Sequence, residues 1–131
     1  MQNNITTNII DSLIGKTFVK VEIGKDKWGE DTLTFHDLLV PFGGGVYVFS
    51  HLQDCCESVY IEDVCGDLSD LENSPILLAE EILHDPDEDQ KESCELWTFY
   101  KFSTIKGTVV VRFVGTSNGY YSVSVHHGWE E

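Results

Sequence analysis

The stretch CELWTFYKFSTIKGTVVVRFVG, residues 94–115, decides the fold. Aromatic and β-branched residues, which are typical of β-strands, dominate on both sides of the Lys106-Gly107 pair. This pair suits a turn, and the two runs lie too close together for the crossover that parallel strands require. The sequence therefore predicts an antiparallel hairpin in which residues 94–105 pair with residues 108–115.

Alternation of apolar and polar residues predicts further strands on both sides of this hairpin. They are SLIGKTFVKVEIG (12–24), TLTFHDL (32–38), VYVFS (46–50), SVYIEDVC (58–65), ILLAEEILH (76–84) and, after a tight Asn-Gly turn, YYSVSVHH (120–127). ILLAEEILH also follows a good helix start, Ser74-Pro75, but nine residues are short for a helix. We therefore interpret it as a strand.

These elements predict a mainly β fold built as a single antiparallel sheet or meander. Residues 8–14 could form a short N-terminal helix, and an α+β fold stays open as the alternative. The length of 131 residues is typical of one domain, so we expect a single domain over residues 1–131.

The net charge of −15 is concentrated in one third of the chain. Residues 54–95 contain fifteen acidic residues and one base, Lys91, whereas the rest contains eight acids and seven bases. Such a field repels nucleic acid, nucleotides and anionic membranes, and it attracts cations or basic protein surfaces. The alternative explanation is that the acidic excess serves solubility alone.

Location is predicted from hydropathy and cysteine usage. No apolar run approaches the ~18 residues of a membrane span, and the N-terminal residues lack the pattern of a secretory signal. Four cysteines, two of them adjacent, then fit reduced thiols better than a disulfide framework. We expect a cytoplasmic protein.

The stretch HLQDCCESVYIEDVCGD, residues 51–67, groups three cysteines with a histidine and five acids. Structural zinc sites normally contain paired ligands two to four residues apart, such as CxxC, and this chain has none. A catalytic thiolate at Cys55 or Cys56 would need cationic stabilisation, and its neighbourhood is strongly anionic. We therefore predict no metal, no cofactor and no catalytic residue here, and structural, reduced cysteines.

We interpret the same stretch as a strand with an acidic outer surface. Val59, Ile61 and Cys65 are expected to point inwards. Because Glu57 and Asp63 share that parity, the strand must twist, bulge or end near them. Buried carboxylates need partners, and Lys91 is the only Lys or Arg in this third of the chain, so both acids are expected to reach solvent.

Two other motifs invite functional interpretations that their details contradict. DPDEDQKESCEL, residues 85–96, begins like an EF-hand loop, but Gln90 replaces the required glycine and Leu96 the closing glutamate. The sequence leaves room for a weak cation site there. PFGGGVYVF, residues 41–49, lacks the Lys-Ser/Thr of a phosphate-binding loop and leads into a strand.

Three blocks resemble a family of small uncharacterised proteins carried by bacteriophages. They are QDCCESVYIEDVCGDLSDL, SPILLAEE and WTFYKFSTIKGTVVVRFVGTSNGYYS, within residues 51–82 and 97–123. The resemblance implies an accessory protein that acts in the bacterial cytoplasm on host or defence machinery. It implies no catalytic or binding residue.

Together, charge and resemblance predict a non-enzymatic protein that binds a partner with a basic surface and modulates or inhibits it, by nucleic-acid mimicry in one version. The partner would be a host or defence protein, and if the protein acts by nucleic-acid mimicry the partner would bind nucleic acid. We expect no direct contact of this protein with nucleic acid or membrane. The predicted contact residues are Glu57, Glu62, Asp67, Asp70, Glu72, Asp85, Asp87, Glu88 and Asp89. The alternative is a small-molecule binder or small enzyme with a site among Tyr120, Tyr121, Trp97, His126 or the cysteines.

Overall fold

A computed structural model describes residues 4–37, 45–85, 94–117 and 122–130. Within these ranges the chain is mainly β, as predicted, and its helical content is one short 3₁₀ turn. The strands are β1 (Asn4–Ile9), β2 (Lys20–Lys25), β3 (Asp31–His36), β4 (Val46–Ser50), β5 (Ser58–Cys65), β6 (Leu78–Asp85), β7 (Cys94–Thr104), β8 (Gly107–Ser117) and β9 (His126–Glu130), and the 3₁₀ turn η1 is Leu68–Leu71.

The strands divide between two antiparallel sheets, where the sequence predicted one. The five-stranded sheet has the order β1-β6-β7-β8-β5, and the four-stranded sheet has the order β2-β3-β4-β9. The predicted hairpin is confirmed, since β7 and β8 pair from Cys94–Ser117 to Thr104–Gly107. β9 does not continue this meander because β5 occupies the other edge of β8, and β9 pairs with β4 instead.

Aromatic side chains hold the two sheets face to face. Phe35 and Phe49 from the four-stranded sheet are fully buried against Tyr100 and Phe102 of the five-stranded sheet. The Phe49–Tyr100 ring centroids are 4.6 Å apart, and the Phe35–Phe102 centroids are 4.9 Å apart. Aromatic pairs at such separations add about 0.5–1.5 kcal/mol to the gain from burial. The core therefore lies between the sheets.

The N-terminal segment is a strand and a turn rather than the predicted short helix. β1 pairs with β6 from Asn4–Asp85 to Ile9–Glu80, so β6 satisfies the backbone groups of β1 that face it. Ile10 and Leu13 follow the strand and are buried in the core. β6 itself confirms the prediction that ILLAEEILH forms a strand rather than a helix.

β5 contains the irregularity that the parity of its acids predicted. Its register against β8 shifts between Ile61 and Asp63. An extra residue reverses the alternation of the following side chains, so Val64 packs against the core and Cys65 is exposed. The expectation that Cys65 points inwards is therefore wrong, while Asp63 reaches solvent as expected.

Candidate functional site

An acidic surface lies along β5 and η1, at one edge of the five-stranded sheet. We call Glu62, Asp63, Asp67 and Asp70 the acidic edge. Glu62 forms an ion pair with Arg112 on β8, and Asp63 is exposed. Because these residues occupy an edge strand and the turn after it, their carboxylates are accessible from outside the sheet.

The turn η1 fixes the second half of the acidic edge. Asp67 is its N-cap, and its Oδ1 accepts hydrogen bonds from the Ser69 hydroxyl at 2.8 Å and the Ser69 N–H at 3.0 Å. These two bonds, the hydroxyl first, lower the pKa of Asp67. The Thr104 hydroxyl donates to the Asp70 carbonyl oxygen, which ties η1 to β7. The turn η1 therefore has a defined backbone, and its N-cap Asp67 is held in the charged form at neutral pH.

Glu72 joins the two sheets rather than facing outwards freely. Its Oε2 accepts a hydrogen bond from the Val21 N–H at 2.9 Å, and its carbonyl oxygen accepts one from Lys106 Nζ at 2.7 Å. Phe18 forms an isolated bridge to the same residue. Asp70 is half-buried as well, but the Glu72 carboxylate is bonded to the other sheet, so we leave Glu72 out of the acidic edge.

Glu57 is buried, and the expectation that it reaches solvent is wrong. Its carboxylate accepts hydrogen bonds from His51 Nε2 at 2.8 Å, from the Asp54 N–H at 2.7 Å and from the Cys55 N–H at 2.9 Å. Burial alone would raise the pKa of Glu57, but the bonds from Cys55, His51 and Asp54 outweigh it and hold the pKa at about 2. Glu57 is thus a structural carboxylate with no surface for a partner.

His51 is the partner that the prediction missed, because only Lys and Arg were considered as counter-charges. The imidazole is buried, and its Nδ1 lies 2.6 Å from the Ser124 carbonyl oxygen while its Nε2 faces Glu57. Both ring nitrogens therefore contact oxygen atoms, one from Ser124 and one from Glu57. These two contacts tie the end of β4 to the corner before β5 and to the segment before β9.

The cysteines differ from the sequence prediction. Cys55 and Cys56 form a disulfide bond with an S–S distance of 2.11 Å, whereas the sequence predicted reduced thiols. Cys65 is free and exposed, and Cys94 opens β7. In the described ranges, no group of three or more His, Cys, Asp or Glu residues is arranged to hold a metal ion.

The structure separates the other predicted contact residues. Asp87, Glu88 and Asp89 lie outside the described residues. Asp85 ends β6, whose first residue, Leu78, pairs with Ser103 beside the Thr104 that contacts η1. Seven steps of ~3.3 Å place Asp85 about 23 Å from that end of the sheet. Asp85 therefore lies away from the acidic edge.

The residues of the alternative site are not brought together either. Trp97 lies on β7, with its ring centroid 5.8 Å from that of His84 and 5.8 Å from the Arg112 guanidinium. His126 starts β9 in the other sheet, opposite Ser50. Tyr120 and Tyr121 lie outside the described residues. Trp97 and His126 thus belong to different sheets, and no ring contact or hydrogen bond between described residues joins them.

The neighbouring residue, His127, joins a polar cluster between the sheets that the sequence did not reveal. Its Nδ1 lies 2.7 Å from the Tyr47 hydroxyl, and its Nε2 lies 3.4 Å from a carboxylate oxygen of Glu81. The Tyr100 hydroxyl donates to Glu81 at 2.7 Å. The bond with His127 lowers the pKa of Glu81, while burial raises the pKa of both tyrosines. The cluster couples an acid, an imidazole and two phenols.

Comparison with known proteins identifies the family. Residues 11–127 match the family described as a domain of unknown function, DUF7448, and the chain belongs to it. No curated protein and no solved structure matches the chain. Across the described ranges, the structure contains no helix with the length and hydrophobicity needed to cross a membrane.

Proposed function

We propose that this protein is a binding module whose acidic edge docks against a basic surface of a partner protein. The observation that carries the proposal is an excess of uncompensated charge in one short segment. Glu62, Asp63, Asp67 and Asp70 lie within residues 62–70. Among the described residues, Arg112 is the one cation in ion-pair distance of any of them.

The position of these charges supports binding rather than catalysis. Charges on an edge strand prevent nonspecific pairing with other strands, and they also steer an oppositely charged partner towards that edge. A partner that presents Lys and Arg would neutralise Asp63, Asp67 and Asp70, which form no ion pair with another described residue. Such contacts act mainly on the rate of association and on the choice of partner.

The biological setting belongs to the proposal as well. The resemblance of three blocks to phage proteins supports a phage accessory protein that modulates or inhibits a host or defence protein in the bacterial cytoplasm. Same-face residues on a strand repeat every ~6.6 Å, whereas duplex DNA carries one charge per ~1.7 Å. β5 and η1 together supply four acids, Glu62, Asp63, Asp67 and Asp70, so nucleic-acid mimicry would need further charges beside them.

The test is affinity capture from a bacterial host lysate with two matched variants. The edge variant carries Asp63→Asn, Asp67→Asn and Asp70→Asn, and the control variant carries Asp11→Asn, Asp54→Asn and Glu95→Gln. Both remove three charges, and the three control acids are exposed elsewhere. We expect the parent and the control to capture the same partner and the edge variant to lose it. Equal capture by all three would refute the acidic edge as the docking surface.

A second candidate, a small-molecule binder or enzyme, is favoured by the cluster of Glu81, His127 and Tyr47. A His127→Asn variant separates the candidates. The binding module predicts unchanged capture of the partner by the folded variant. The second candidate predicts that the parent captures no partner protein. It also predicts that a ligand found by thermal-shift screening stabilises the parent but not the variant.

A further inference from the structure

A cavity of about 330 Å³ lies beside the buried His51–Glu57 pair. It opens between the turn that joins β2 to β3 and the corner that follows β4. Its lining residues are Asp26, Trp28, Glu30, His51, Leu52 and Gln53. Ligand pockets in proteins begin at about 300 Å³, so the cavity is large enough for one side chain or a small ligand.

Two large apolar side chains form the walls of this cavity. Trp28 is 74% exposed and Leu52 is 66% exposed, although both line a concave surface. Exposed apolar groups of this size favour a ligand with an apolar part. The indole of Trp28 already accepts a cation, since Lys27 Nζ lies 4.5 Å from its ring centroid. The walls therefore suit a ligand that combines methylene groups with a positive charge.

One acceptor among the lining residues of the cavity lacks a donor. Glu30 Oε1 is buried and has no hydrogen-bond partner, a state that costs free energy until a donor arrives. Asp26 is held in place because its Oδ1 accepts the N–H groups of Trp28 and Glu30, each at 2.9 Å. Both nitrogens of His51 are already bonded, so the imidazole supplies no donor to Glu30.

We propose that this cavity binds the guanidinium group of an arginine side chain on the partner protein. That the arginine comes from a partner protein rests on the proposed function. That the site binds a guanidinium group rests on the cavity alone. Arginine fits better than lysine because its planar group stacks on an indole and donates two parallel hydrogen bonds to a carboxylate. Its methylene stem would pack between Trp28 and Leu52, and its N–H groups would reach Glu30 Oε1.

A second cavity adjoins the first and extends along β4 towards β9. It has a volume of about 590 Å³ and shares Asp26, Trp28 and Leu52 with the first. From there it continues along Val48 and Ser50 of β4 to Glu130 of β9, with Lys27 and Thr32 also in its lining. Residues flanking the bound arginine would occupy this groove.

The experiment titrates the purified protein with capped amino acids and follows backbone and indole ¹H–¹⁵N NMR shifts. The probes are N-acetyl-arginine methylamide, its citrulline and lysine counterparts, and the capped peptide Gly-Gly-Arg-Gly-Gly. We expect saturable shifts at Trp28 and Gln53 with arginine, at least tenfold weaker binding of lysine, and no saturation with the neutral citrulline. The peptide should bind more tightly than the capped amino acid because it also occupies the groove.

Two variants complete the test. Glu30→Gln should weaken arginine binding at least tenfold, and Glu95→Gln, at an exposed acid on β7, should leave it unchanged. Unchanged shifts elsewhere verify that both variants fold. Equal binding of the citrulline compound, no effect of Glu30→Gln, or tighter binding of N-acetyl-arginine methylamide than of the peptide would overturn the proposal. Capture by the acidic edge is measured separately, so either proposal can fail without the other.

Discussion

Replacement of Phe49 by alanine tests the face-to-face packing of the two sheets, on which every surface described above depends. Phe49 is fully buried, and its ring lies between 4.6 and 5.9 Å from those of Tyr100, Tyr47, Phe102 and Phe35. Truncation of a core phenylalanine to alanine costs about 3–5 kcal/mol, through lost burial and the cavity left behind.

This cost is a large part of the total stability. Folded proteins are stable by about 5–15 kcal/mol, so the Phe49→Ala variant should unfold at a much lower urea concentration with little change in the slope of the transition. Phe99→Ala is the matched control, since Phe99 lies on the same sheet as Tyr100 but is only half-buried. Urea titration followed by circular dichroism should give at least a twofold smaller loss for the control. Equal losses for the two variants would refute the packing of the sheets through Phe49.

Two further predictions concern the buried corner and a close contact in the core. The pKa of Glu57 is lowered from 4.5 to about 2, so its stabilising contribution is complete above pH ~4.5 and disappears as the pH falls towards 2. In urea titrations, Glu57→Gln should therefore be less stable than the parent at pH 7, and its stability should fall less between pH 4.5 and 2. Equal pH dependence of the stability of the two proteins would contradict an ionised Glu57 in the folded protein. Gly115→Ala would place its Cβ 2.6 Å from the Cβ of Val123 and 2.9 Å from its carbonyl oxygen, and should cost about 1–3 kcal/mol. Gly24→Ala, whose nearest contact is at 3.9 Å, should cost less than half of that in the same assay, and a reversed order would contradict the packing of Val123 on β8.

Sequence patterns predicted the parts of the fold that depend on neighbours in the chain. β7 and β8 were identified because both runs have strong β propensity and a two-residue turn places them beside each other. The pairing of β4 with β9 joins Tyr47 to Trp129, and no local pattern specifies contacts at that separation. For that reason the division into two sheets could not be predicted.

The candidate site shows the same limit at the level of side chains. The parity of Glu57 and Asp63 predicted an irregular β5, and the register shift confirms it, but the pattern could not show which side chains would turn inwards afterwards. The burial of Glu57 depends on His51, six residues earlier, and on a carbonyl oxygen from Ser124. The nearness of His51 to Glu57 in the sequence could have indicated that they pair. The Ser124 carbonyl oxygen belongs to a segment 73 residues from His51, so no local pattern indicates its contact.

The acidic edge is tested most directly by the rate of association with the captured partner, measured by stopped-flow mixing across a salt series. The edge variant (Asp63→Asn, Asp67→Asn, Asp70→Asn) should associate about tenfold more slowly than the parent at low ionic strength, since steering by such charges raises rates 10-fold or more. The difference should shrink as salt shortens the reach of each charge to about 8 Å at 0.15 M. The control variant (Asp11→Asn, Asp54→Asn, Glu95→Gln) should stay within twofold of the parent. Equal rates for the edge and control variants at every salt concentration would contradict the proposed docking surface.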